Sequence, residues 1–110
     1  MSKAFRLEVV SPEAIVWSGE AEMLVTRTTE GEIGILADHE PTMAALSTGS
    51  SVITTPEGSQ ISVATHGGFL QIFENRVTLL TDRAEIAEGD RDEATRLAES
   101  LAAAEAEGAE

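Results

Sequence analysis

Asp38, His39 and Glu40 stand in a row before Pro41, and the only other histidine is His66, with Asp82 further along. Carboxylates beside an imidazole are donors for a divalent metal, or an acid–base pair for hydrolysis. Either chemistry needs His66 or Asp82 to converge on the triplet. No His-x-His or His-Glu-x-x-His spacing seats two ligands on one element. Adjacent acids in a loop are ordinarily solvated, so a small metal-dependent enzyme using His39 and His66 is the weakest reading. A serine nucleophile lacks the Gly-x-Ser-x-Gly elbow. The absence of cysteine excludes thiol catalysis and a disulfide framework. Gly67-Gly68 follows His66, but neither phosphate-loop spacing is present and Lys3 is the only lysine. The pair predicts a bulge or bend between strands. No catalytic residue, metal or cofactor is expected.

The segment Gly31-Glu32-Ile33-Gly34-Ile35-Leu36-Ala37-Asp38-His39-Glu40-Pro41 carries the most structural information. Glycines at 31 and 34 predict sharp turning or close backbone approach. Pro41 forbids a helix through position 40. The segment therefore reads as a tight turn, a very short strand and a shaped loop. Thr28-Thr29-Glu30-Gly31-Glu32 is polar and should project from the scaffold, where recognition usually resides.

Elements that could hold such loops follow from composition and periodicity. The chain has 110 residues, enough for one domain and a small appendage, and is 42 % hydrophobic with only 4 % aromatics. The core should be Val, Ile, Leu and Ala around Phe5, Trp17, Phe69 and Phe73, with Met23, Leu24 and Val25 as core strand residues. A net charge of −13 opposes binding to nucleic acid or anionic lipid and favours a basic protein partner. No run approaches the ~20 apolar residues that span a bilayer, so direct lipid insertion is not expected. The start of the chain shows no apolar signal region.

Strands are predicted at 5–10, 14–17, 21–28, 52–55, 61–65, 69–73 and 76–80. Ser18-Gly19 should end the second. Pro56-Glu57-Gly58 and Glu74-Asn75 read as hairpin turns. Recurring short strands without intervening helices indicate a sandwich or barrel. Composition changes near Thr81: residues 82–110 hold ten acids and three bases. There Asp90 and Glu93 form a capping-box pattern, and Ala94, Leu97, Ala98, Leu101 and Ala102 make a narrow apolar stripe. Asp92 and Arg96 have i, i+4 spacing. The expected organisation is mainly β with a C-terminal α-helix: a β-sandwich over 1–87 and a tail with one amphipathic helix over 88–110.

Several separated motifs resemble the epsilon subunit of F-type ATP synthases. They are Leu7-Glu8-Val9-Val10-Ser11-Pro12-Glu13, Trp17-Ser18-Gly19, Thr29 to Leu36 with His39 and Pro41, Gly67-Gly68-Phe69-Leu70-Gln71-Ile72, and Val77 to Leu80 with Asp82 and Ala84. The resemblance implies a ten-stranded β-sandwich and a place in the central rotor stalk, with no bond chemistry of its own. It implies that Glu30, Gly31 and Glu32 face the c-subunit ring. His39, Glu40, Pro41, Thr42, Met43 and Leu46 would face the gamma subunit, and the catalytic alpha/beta head is reached through the assembly. It implies a peripheral membrane protein, and the absence of a transit peptide favours the cytoplasmic face of a bacterial plasma membrane. Two departures stand out. The family's two-helix tail is shortened here to about one helix, which weakens the expectation of inhibition. The family's Ile/Leu-Asp-x-x-Arg-Ala nucleotide motif aligns with Gly89-Asp90-Arg91-Asp92-Glu93-Ala94, where a carboxylate replaces the cation, so no nucleotide site is carried over. The rival reading is a free-standing β-sandwich binding module with another partner.

Overall fold

The computed structural model describes residues 3–87 and 90–108. The expected boundary at 87/88 and the Gly89 comparison fall on, or beside, residues outside that set. Ten strands precede one helix: β1 (Phe5–Val10), β2 (Ile15–Ala21), β3 (Met23–Thr28), β4 (Gly31–Leu36), β5 (Thr42–Ala45), β6 (Gly49–Thr54), β7 (Gln60–His66), β8 (Phe69–Phe73), β9 (Arg76–Leu80), β10 (Arg83–Ile86) and α1 (Arg91–Gly108). They form two five-stranded sheets, β2-β1-β9-β8-β5 and β10-β7-β6-β3-β4. The sandwich expectation therefore holds.

Alternation builds the core. Leu7 and Val9 of β1, Leu70 and Ile72 of β8, and Val77 and Leu79 of β9 point inward from the first sheet. Leu24, Ile35, Ile53 and Val63 meet them from the second. Polar residues inside are paired. Thr26 and Ser51 join hydroxyls at 2.7 Å, and Thr65 donates its hydroxyl to the Gly49 carbonyl at 3.3 Å. Among the described residues no buried side-chain nitrogen or oxygen lacks a partner, as an interior of low polarity requires.

Two aromatic expectations fail. Phe69 is 54 % and Phe73 56 % exposed, because Leu70 and Ile72 already take the inward positions of β8. Of Met23, Leu24 and Val25, only Leu24 is fully buried. Strand boundaries also move. β2 runs through Ser18-Gly19, since β1 pairs with it continuously from Glu8↔Ser18 to Phe5↔Ala21. Gly19 leaves room for a neighbour: a Cβ there would lie 3.0 Å from the Trp17 ring. Gly31–Leu36 is a full six-residue strand rather than a turn and a fragment. β5 lies where no strand was read from the periodicity, and β10 extends the sandwich past the composition change at Thr81. The Glu74-Asn75 hairpin is as expected, with both residues at positive φ, 49° and 62°.

The corner between β7 and β8 is the tightest point. Gly68 has φ +99°, and a Cβ there would sit 1.8 Å from the Leu80 carbonyl oxygen and 2.7 Å from Thr81 Cα. Gly34 is ordinary by comparison, its nearest neighbour being Met23 Cε at 3.6 Å.

Helix α1 lies across the outer face of β6 and β7. Asp90 caps it: its Oδ1 accepts the backbone N–H of Asp92 at 3.1 Å and of Glu93 at 3.2 Å. Ala94 and Ala98 are fully buried, while Leu97, Leu101 and Ala102 are half-buried, matching the expected stripe. Arg96 pairs with Glu93 at i, i+3 rather than with Asp92. The hydrogen bond and charge of Glu93 raise the Arg96 pKa above its already high value. Beneath the helix the sheet offers Ser50, Ser62 and Ala64, all small.

Gly68→Ala should cost at least ~3 kcal/mol, since both backbone strain and a backbone clash oppose it. Gly34→Ala should stay within ~1 kcal/mol. Chemical denaturation of the two variants checks this. Removing residues 90–110 should leave one cooperative unfolding transition, because the uncovered face is small and partly polar. Thermal melts of the full and shortened chains, compared for cooperativity, test that expectation.

Candidate interaction surface

The register of the first sheet sets Ala45, Phe69, Leu80, Val10 and Ile15 side by side across β5, β8, β9, β1 and β2. All face away from the core. Phe69, Leu80 (47 % exposed) and Ile15 (61 % exposed) are the large members of this row. Above it an open cleft of about 690 Å³ is lined by Val10, Pro12, Leu46, Gly68, Phe69 and Leu80, among others. The next row is mixed: Met43, 69 % exposed, then Gln71, Thr78, Glu8 and Ser18. The third brings Phe73 beside Arg76, Arg6 and Glu20, and Arg6 donates to the Ser18 hydroxyl at 2.7 Å. The face thus grades from apolar to charged along the strands. Exposed apolar side chains in contiguous rows mark a contact surface rather than chance exposure.

The loop from Ala37 to Pro41 enters this sheet at the charged end. Asp38 adopts φ 63° and donates its N–H to Asn75 Oδ1 at 2.7 Å, while its carboxylate meets Lys3 Nζ at 3.1 Å. Asn75 also donates its side-chain N–H to the Ala4 carbonyl at 3.0 Å. The His39 ring nitrogen Nδ1 lies 2.9 Å from the Glu40 carbonyl oxygen, which also accepts the Thr42 hydroxyl at 3.0 Å. Glu40 and Pro41 are exposed. Leu46 is only 4 % exposed and belongs to the core, so it borders the cleft from beneath.

The β3–β4 hairpin ends at the opposite end of β5. Thr28 pairs with Gly31 across the two-residue loop Thr29-Glu30. The Thr28 hydroxyl donates to the Gly31 carbonyl at 2.8 Å and accepts the Glu30 N–H at 3.2 Å. Gly31 takes φ +123°, a conformation that explains glycine there. Thr29 donates its N–H to the Ala45 carbonyl at 2.9 Å, which ties the hairpin tip to the apolar row. Glu30 is exposed at the tip, and the Glu32 carboxylate pairs with Arg91 at the start of α1.

Geometry dissolves the metal reading. His66 approaches the Ala45 end of β5 through Phe69, whereas His39 precedes Thr42 at its other end. His66 Nδ1 sits 2.7 Å from the Thr48 hydroxyl. Among the described residues no group of three His, Asp or Glu side chains could hold an ion, and no helix is long and apolar enough to cross a membrane.

The family model for the ATP synthase delta/epsilon chain β-sandwich domain matches residues 4–87. The chain belongs to this family. It is 39 % identical to the ATP synthase epsilon chain of Streptomyces avermitilis over 108 residues, covering 98 % of this chain and 86 % of that one. It is 44 % identical to that of Rhodococcus opacus over 97 residues, covering 86 % and 80 %. Among solved structures, a chain of the Euglena gracilis mitochondrial ATP synthase OSCP/F1/c-ring assembly superposes with TM-score 0.73 at 26 % identity, covering 94 % of this chain. This chain spans 64 % of the length of that Euglena chain. A chain of the Tetrahymena thermophila central stalk/c-ring structure shares the fold, with TM-score 0.61 at 12 % identity over 76 % of this chain and 66 % of that one.

The exposed apolar row makes the outer face of the first sheet the surface to account for. Phe69, Leu80, Val10 and Ile15 were not among the contact residues expected from sequence. The signal was present, because Gln71 shares a face with Phe69 and Phe73 and marks that face as outward. Leu46→Ala should destabilise the fold by ~2–5 kcal/mol as a core truncation. Met43→Ala should change stability by no more than ~0.5 kcal/mol. Urea denaturation separates a core role from a surface role for the two.

Proposed function

We propose that the chain is the epsilon-type, non-catalytic subunit of the central rotor stalk in a proton-translocating F-type ATP synthase. It couples rotation of the c-ring to the catalytic alpha/beta head. The outer face of the first sheet binds the gamma subunit through Phe69, Leu80, Val10 and Ile15, joined by His39, Glu40, Pro41, Thr42 and Met43. The acidic hairpin Glu30-Gly31-Glu32 meets the c-ring. The protein is peripheral to a membrane-bound complex, on the cytoplasmic face of a bacterial plasma membrane. The sandwich, 1–87, supplies both attachments, and the tail, 88–110, is an accessory.

The observation that carries this reading is the apolar row across five strands that ends against the acidic hairpin tip. A rotor subunit must be held firmly. Each charge crossing the membrane supplies roughly 2.3 kcal/mol per 100 mV. Permanent hetero-complexes commonly bury about 2,000 Å² or more, so a domain this small needs a sheet face together with an edge loop. The partner surfaces follow from charge as well. With −13 net charge, the hairpin suits basic or amide groups, and the apolar row suits a dry contact. The nucleotide motif has no counterpart here: Glu93 stands at its cation position and pairs with Arg96.

Phe69→Glu should leave the isolated chain folded, because the side chain is exposed, and weaken binding to gamma by about 30-fold or more, the scale of an interface hot spot. Charge reversal at Glu30 should lower ATP-driven proton pumping while the same change at Glu57, in the β6–β7 loop, leaves it near normal. Reconstitution with enzyme lacking the native subunit measures both. Full assembly and pumping by Phe69→Glu, with equal effects at Glu30 and Glu57, would sink the reading.

A further inference from the structure

Glu32 serves two surfaces. Its backbone belongs to the hairpin whose tip carries Glu30, and its carboxylate holds Arg91, the first residue of α1. We propose that docking of α1 and capture of the hairpin by a cationic partner oppose each other through this one carboxylate. The inference rests on reading the hairpin as the c-ring contact and names a regulation of that site.

The geometry makes the opposition local. Glu32 faces Arg27 across the β3–β4 ladder, on the same side of the sheet as the helix. The stem of Arg27 lies over Gly49, whose absent Cβ would be 3.1 Å from Arg27 Cδ. Arg27, Glu32, Arg91, Thr95 and Glu99 border a cleft of about 270 Å³ under the first turns of the helix. Of the chain's seven basic residues, Arg91 is the one paired with this carboxylate, while Arg27 stands opposite it in the ladder with its stem turned toward β6. A second cation approaching Glu32 competes with the Arg91 guanidinium for the same carboxylate, and the like-charge repulsion between them is relieved if Arg91 leaves. Arg27 is fixed in a strand. Arg91 is the first residue of α1, and its side chain is 53 % exposed.

The helix is sensitive to so small a change because the side chains it buries near that end are small. Among its described side chains Ala94 and Ala98 are fully buried, and the larger apolar residues Leu97 and Leu101 are half-buried and further along. Glu32 and Arg91 have side-chain exposures of 43 % and 53 %, so the pair is a solvent-screened contact. Such pairs change an equilibrium by roughly two- to fivefold. By linkage, whatever factor the docked helix removes from hairpin capture, capture removes from helix docking.

The test uses the full chain. Amide hydrogen exchange of residues 95–102 is measured for the wild type, Glu32→Gln, Arg91→Gln, the double variant and the control Glu57→Gln. Each single variant should speed exchange roughly two- to fivefold, the double variant no further than either single, and Glu57→Gln not at all. A Glu30→Cys chain is then cross-linked to purified c-ring. Arg91→Gln should raise the cross-linking yield at limiting ring, and the helix should exchange faster in the wild-type complex than in the free chain. Unchanged exchange in the single variants, or full additivity in the double, overturns the proposal and leaves the hairpin contact standing. Coupling in the free chain without any cross-link to the ring overturns the hairpin contact, and the opposition with it.

Discussion

Leu70 and Ile72 fill the space between the sheets, and in an extended strand that places Phe69, Gln71 and Phe73 on the opposite face. The same alternation operates along β1 and β9, where Leu7, Val9, Val77 and Leu79 go inward and Val10 and Leu80 stay out. Cross-strand register then aligns what is left over. Ala45, Phe69, Leu80 and Val10 fall in one row because their strands are in step, and a register shift between Val9 and Val10 brings Ile15 onto the end of it. A one-residue slip in any strand would empty the core as it removed the row. The contact surface is thus locked to the core by the pleat, and a partner that reads the surface also reads the register.

The helix shows the opposite economy. It packs alanine on serine and alanine, so its backbone comes close to the sheet while little apolar area leaves water. Acids crowd the helix, although β6 and β7 beneath it carry none. Where the helix meets the hairpin, Arg91 offsets that crowding at Glu32, and Arg96 does so at Glu93. These exposed pairs each give little, and the sandwich core rather than the tail carries the stability of the molecule.

Most of the sandwich was legible from turn residues and alternation. Pro56-Glu57-Gly58 and Glu74-Asn75 announced their hairpins, and the apolar stripe from Ala94 to Ala102 announced the helix. What escaped had tertiary causes. β5 is four residues long, begins after Pro41 and exists because β8 pairs with it. β10 is rich in charge, yet β7 recruits it from His66 to Val63 as an edge strand. Ser18-Gly19 carries turn composition but is held extended by β1, and the side chain missing at Gly19 is replaced by the Trp17 ring. The surface was harder to see. Treating every aromatic as core hid Phe69 and Phe73, although Gln71 between them is a polar residue that no apolar interior would accept unpaired. Leu46 erred in the other direction: it ends a stretch that the resemblance assigns to a partner, and only the fold reveals that it points inward.

Gly68 connects these levels. The β7–β8 corner must bring the chain from one sheet to the other within two residues, and it does so by passing within touching distance of the Leu80 carbonyl and Thr81. The Gly68 carbonyl then accepts the Leu46 N–H at 2.9 Å, and the Thr81 N–H is donated to the Val10 carbonyl at 2.8 Å. Four segments are therefore tied at one point, and that point underlies the apolar end of the row. The hairpin tip joins it through Thr29 and Ala45. A load applied at the acidic tip is thus delivered through main-chain hydrogen bonds to the edge of the apolar row, without passing through the flexible ends of side chains. That continuity is what a rigid link between two partners needs, and it arises from a backbone approach that only glycine permits.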